Sequence, residues 1–215
     1  MTQKIGFSLD TKELTEGLKK LYTGSVAVQK DVISDIKSRA PGWISKSVAA
    51  SYGISAKEIR PGSVRNGEKV KQAGRMKISG KSIATASIQY KGGLLTPTHF
   101  GMNVKAATKT VKGTDGKPQK RKVYKITAAI KKGSRKELTP RAFMAATSRK
   151  IGSSTEIPFQ RRGSARTPID AIKTVSVPQM IDNDVVRENI GQKLSEGIEK
   201  RFANSAKRHL GITPK

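Results

Sequence analysis

Residues 74–90, GRMKISGKSIATASIQY, mark where the periodicity of the chain changes. Ala84, Ala86 and Ile88 alternate against Thr85, Ser87 and Gln89, and Met76 and Ile78 alternate just before them. This two-residue period belongs to strands with one half-buried face. On both sides the period lengthens. Leu14, Leu18, Leu21, Val28, Val32 and Ile36 precede the stretch, and Val186, Ile190, Leu194, Ile198, Phe202 and Leu210 follow it, at the three- and four-residue spacing of helical stripes. Helical flanks around a β-rich middle predict an α+β protein: N-terminal amphipathic helices, a central antiparallel β-sheet with a long basic loop, and a C-terminal helix.

A single domain is expected, with a helical part over 1–60, a β-rich part over 74–180 and a final helix over 182–212. Ser8 or Asp10 can cap the first helix, and Pro41-Gly42 is expected to end it. Trp43, Ile44, Val48 and Tyr52 then form a second helical face, closed by Gly53 as a left-handed cap. Ser55-Ala-Lys-Glu58 reads as a capping box. Further strands are expected over Leu94–Phe100, Val123–Ile130, Phe143–Thr147 and Ile157–Gln160. Residues 103–122, NVKAATKTVKGTDGKPQKRK, lack convincing periodicity and read as a mobile hairpin tip or arm, with Asp115-Gly116 suited to its tight turn. The Asp182-Asn183-Asp184 cluster is expected to cap the last helix.

Charge dominates the surface physics. The 215 residues hold 43 Lys and Arg against 16 Asp and Glu, a formal charge of +27, and the flanking helices are nearly balanced. About +23 therefore lies between them, and anionic partners follow. Lys117, Lys120, Arg121, Lys122, Lys125, Lys131, Lys132, Arg135 and Lys136 flank one expected strand with almost no acid nearby. Such a cluster can neutralise nucleic-acid phosphates, dock on an acidic protein, or form a solvated face. Tyr124 is its only aromatic residue, too little for a platform that stacks single strands.

Covalent chemistry finds little material. Without cysteine there is no disulfide, thiolate nucleophile or zinc ribbon. His99 and His209 have no acid or nucleophile at a recognisable local spacing, and Glu58, Glu68, Asp115, Glu137, Glu156 and Asp170 are scattered singly. The Gly-rich pieces lack the setting of a P-loop. No cofactor or metal is expected. No run of about 18 apolar residues or apolar leader stands out, so no membrane contact is expected, and the expected place of work is inside the producing cell or in a particle assembled there.

The most distinctive passage runs from Phe159 to Met180. Pro168 and Pro178 bracket Ile169, Ile172, Val175 and Val177, a pattern suited to a short edge strand and an extended connection. That strand is either one more member of the sheet or an exposed assembly edge, at which Pro178 and Met180 can form a self-contact if exposed.

Here the chain resembles the phage minor tail protein Z family, within the broader group of tail-completion proteins of long-tailed phages. The similarity rests on F-x-R-x-G at Phe159–Gly163, R-x-P-I at Arg166–Ile169, S-V-P-Q-M at Ser176–Met180 and a charged C-terminal helix ending KRHL. The order of parts agrees over nearly the whole chain. The resemblance implies a non-catalytic virion protein that completes the head-proximal end of the tail and prepares it for head-tail joining. It implies partners in the tail tube and the head-tail connector, self-association as a ring, and assembly in the host cytoplasm. Arg161, Arg162, Arg166, Pro168, Val177, Pro178 and Met180 match the motif and are the implied assembly contacts. DNA is a second candidate neighbour for the basic middle, and a sequence-nonspecific nucleic-acid-binding protein is the alternative reading.

Overall fold

The structure, a computed structural model, describes residues 11–81, 85–112, 115–139, 142–147, 156–163 and 167–211. Ser8, Asp10, Ile83, Ala84 and Arg166 lie outside the described residues, as do the side chains of Leu14, Arg121 and Lys122. The protein is α+β. Its elements, in chain order, are α1 (Thr11–Ser51), α2 (Ala56–Ile59), β1 (Val64–Arg65), β2 (Glu68–Lys69), β3 (Arg75–Ser79), β4 (Ser87–Lys91), β5 (Asn103–Lys112), β6 (Pro118–Lys131), β7 (Ser134–Glu137), β8 (Phe143–Ala146), β9 (Glu156–Arg161), β10 (Ile169–Ala171), α3 (Val177–Ile181) and α4 (Asp184–Leu210). Among the described residues no helix is long and apolar enough to cross a membrane.

The chain divides into two compact units: Met1–Ala40 with Ile78–Ile88 and Gln192–Lys215, and Pro41–Lys77 with Gln89–Gly191. In the first unit Val28, Val32, Ile33, Ile36 and Ala40 are buried, with Ser205 and Ala206. There Asp31 and Asp35 of α1 meet α4, as Arg201 Nη2 donates to Asp35 at 2.6 Å and Ser205 Oγ to Asp31 at 2.8 Å. In the second unit the buried set includes Ile44, Val48, Tyr52, Ile59, Phe100, Ile126, Val177, Met180, Val186 and Ile190.

Three expectations about helices are corrected. The first helix does not end at Pro41-Gly42, because α1 continues through Pro41 to Ser51. An interior proline costs about 3 kcal/mol, but Val28, Val32, Ile36, Ala40, Ile44, Val48 and Tyr52 recur every fourth residue and are all buried. Burying Ile44 and Val48 alone contributes roughly 1.5–3 kcal/mol each and offsets the break. The apolar stripe does not extend toward the N-terminus, where Leu18 and Leu21 are exposed, and Phe202 of α4 is exposed too. Gly53 is not a left-handed cap but a point of close backbone approach to Ala129.

The single central sheet is also corrected. Among the described residues the strands form four small sheets: β1–β2, β3–β4, β5–β6–β7, and β8–β9–β10 with β9 in the middle. Leu94–Phe100 is not a strand. Pro97 begins a 3-10 turn over Pro97–Phe100 that ends at Gly101 with φ +56, and Phe100 is fully buried. Pro97 supplies the fixed φ of a turn start and no donor for a ladder, so the segment curls inward. Residues 103–122 belong to a hairpin, as expected, and its arms are regular strands: β5 and β6 pair antiparallel over ten positions.

Candidate basic interface

The β5–β6 ribbon is built from Thr, Val and Ala interspersed with Lys, residues that suit a pleated surface without filling a core. Asn103 pairs with Thr127 at its base and Lys112 with Pro118 near its tip, and Gly116 turns the chain with φ +71. Every residue of β5 is exposed. On β6 the buried side chains are Ile126 and Ala128, close to the base. The same even-numbered face carries Tyr124 and Lys120, while the opposite face carries Lys125 and Thr127.

The expected basic residues lie along this one sheet. Lys117 is at the tip, Lys120, Arg121, Lys122, Lys125 and Lys131 are on β6, Lys132 is in the turn, and Arg135 and Lys136 are on β7. The sequence reading missed Lys105, Lys109 and Lys112 of β5, which pairing brings into the same array. Lys105 stands directly opposite Lys125, and Lys109 opposite position 121. Like charges in register destabilise a sheet, so the arrangement favours an anion laid against it. Among the described residues Glu137 is the one acid in contact, its Oε2 lying 3.5 Å from Lys125 Nζ in an exposed pair. Such a pair contributes about 0–1 kcal/mol. Arg135 Nη1 donates to the Gly101 carbonyl at 2.9 Å, which ties β7 to the end of the 3-10 turn.

The segment that carries the family resemblance forms the β9–β10 hairpin and α3. Phe143 and Phe159 stack with ring centroids 6.3 Å apart, and the Arg161 guanidinium lies 5.6 Å from the Phe143 centroid in a cation–π contact. Arg162 makes a bidentate pair with Asp170, Nε to Oδ2 at 2.5 Å and Nη2 to Oδ1 at 3.1 Å. This hydrogen bond holds the Asp170 carboxyl below its ordinary pKa and raises that of Arg162. Arg161, Arg162 and Pro168 are exposed. Val177 and Met180 are not available as assembly contacts, because both are 0% exposed within the chain itself. Ser176 caps α3 in a capping box with Gln179, and this turns Val177 and Met180 inward while leaving Pro178 half-buried.

The histidines find long-range partners that local spacing hides. His99 Nδ1 lies 2.5 Å from Glu58 Oε2, so Glu58 does not complete the capping box expected with Ser55. His209 Nε2 lies 3.0 Å from Asp31 Oδ2, which also accepts from Ser205 and the Arg208 guanidinium. Ser205 and His209 thus converge on the carboxylate, whereas a nucleophilic triad needs the hydroxyl on the imidazole. Among the described residues no group of three or more His, Cys, Asp or Glu side chains is placed to hold a metal ion. A cleft of about 530 Å³ is lined by Ser45, Lys46, Lys57, Arg60 and Ser63, a second cationic feature of the second unit.

Comparison with known protein families, curated proteins and solved structures gave no match to this chain.

Proposed function

We propose that this chain is a non-catalytic structural protein of a phage tail, which completes the head-proximal end of the tail and prepares it for head-tail joining. It acts in the virion after assembly in the host cytoplasm, with the tail tube, the connector and further copies of itself as partners. The reading is carried by the surface position of Arg161, Arg162 and Pro168 in the β9–β10 hairpin, the segment on which the family resemblance rests. Leu18, Leu21, Tyr22 and Val26 add an exposed apolar strip on a helix of nearly balanced charge. A chain of this net charge can self-associate most readily where its charge cancels.

The test replaces Arg161, Arg162 and Arg166 together with Ala. Tails carrying this variant are expected to fail to join heads while the purified protein keeps its far-ultraviolet circular dichroism. Asp170→Ala breaks the intrachain pair alone and is expected to leave joining intact. Normal infectious yield from the triple variant would sink the assembly reading.

A further inference from the structure

We infer that the β5–β6 ribbon is a binding arm for duplex DNA, seated in the major groove and largely blind to sequence. Between residues 103 and 136 there are twelve Lys and Arg against Asp115 alone. Pairing distributes them over both faces of the ribbon. Lys105, Lys109 and Lys125 point to one side, and Lys112 and Lys120 to the other, as the alternation of the register requires. A flat acidic protein surface would be met by cations on one face only. A ribbon lying in a groove has phosphates along both edges, and cations on both faces answer that geometry.

Size and composition agree. The two strands lie about 4.8 Å apart, and the major groove of B-form DNA, about 12 Å wide, admits a two-stranded β-ribbon. The corresponding groove of duplex RNA is too narrow for side chains to enter. Between the cations stand small residues, Ala106, Ala107, Thr108 and Thr110, which let the backbone approach closely. Tyr124 is the only aromatic residue of the ribbon, which excludes a stacking platform for single strands. Lysine contacts to phosphate position a protein on DNA without reading bases, so sequence tolerance follows. The inference stands on the ribbon alone and does not need the assembly role.

The test uses the full chain and a fluorescein-labelled duplex of about 24 base pairs, read by fluorescence anisotropy across a salt series. Replacing Lys105, Lys109, Lys112 and Lys120 with Gln should weaken binding at least about tenfold near 0.1 M salt and reduce the slope of log K against log salt by about three to four. A control of equal charge, with exposed Lys69, Lys71, Lys77 and Lys91 changed to Gln, should leave the slope within about one of the parent. The pair Lys109→Gln with Lys112→Gln, near the tip, should give about half the full change and guards against misfolding of the larger variant. Methyl green, a major-groove ligand, should be displaced from the duplex. Equal losses in the ribbon and control variants would reduce the effect to net charge and overturn the proposal. Polyglutamate competing as well as duplex DNA would also overturn it, in favour of an acidic protein partner.

Discussion

Gly53 lies against the backbone of Ala129, so closely that a Cβ added at Gly53 would sit 1.9 Å from the Ala129 carbonyl oxygen. Around it the end of α1 is stitched to β6, with Gly53 N donating to Ile130 O and Lys132 N to Ser51 O, each at 3.0 Å. The neighbour is backbone and cannot swing aside. Gly53→Ala is therefore expected to cost about 1–3 kcal/mol, as overpacking does. Gly191 lies inside α4 with nothing within 4 Å of an added Cβ. Gly191→Ala should stabilise by about 0.5–1 kcal/mol. Urea midpoints that move in opposite directions for the two variants are the expected result, and a neutral Gly53→Ala would contradict the docking.

Asp31 gives an acid-sensitive contribution in the first unit. The Ser205 hydroxyl, His209 and Arg208 hold its carboxyl below the ordinary value of 3.8, with the Ser205 hydrogen bond the largest cause and desolvation opposing. A depressed folded pKa means stability that is fully present above 3.8 and lost as pH falls through the lower folded value. Asp31→Asn should lower stability at neutral pH, and its deficit should close below about pH 4. Denaturation midpoints followed from pH 7 to pH 2 check this, and parallel curves for the two proteins would rule out Asp31 as the source.

Pro41 is an interior break that burial overrides. Replacing it with Ala restores a backbone donor facing the Lys37 carbonyl and removes the ring clash, while the buried Ala40 and Ile44 are untouched. The variant should gain up to about 3 kcal/mol. A thermal melt that shifts downward would mean that the proline is accommodated by a distortion the fold needs.

Much of the helical architecture was legible because it is written in spacing. Val28 to Tyr52 and Val186 to Ile190 recur at four residues, and each of those helices is present. Spacing does not say what covers a stripe, and Leu18, Leu21 and Phe202, which lie on the helical stripes, are exposed. The β5 strand was illegible because both of its faces are in solvent, which removes the alternation that marks a half-buried strand. Lys105, Lys109 and Lys112 were lost from the candidate site with it. Two local signals were present and went unread: Asn66-Gly67, which turns β1 into β2 with φ +52 and +83, and Ser176-Val-Pro-Gln179, a capping box. Reading the latter as helix would have turned Val177 and Met180 inward from the start. The Glu58–His99 and Asp31–His209 pairs span 41 and 178 residues, and no local pattern encodes them.

Arg162 and Asp170 face each other across the β9–β10 hairpin, whose register sets Arg161 against Ile169 and Gln160 against Asp170. The bidentate hydrogen bonds are the main reason that the Asp170 carboxyl titrates below its ordinary value, with lesser help from the charges of Arg162 and Lys173. Arg162→Gln should let the Asp170 pKa rise toward 3.8, whereas Arg162→Lys, which keeps the charge but not the fork, should give an intermediate value. Both groups are exposed, so the change in global stability should be small. Carboxyl carbon chemical shifts followed through acid titration read the Asp170 pKa directly. An unchanged value in Arg162→Gln would show that the pair does not form in solution, and would free Arg162 for the external contact that the assembly reading assigns to this hairpin.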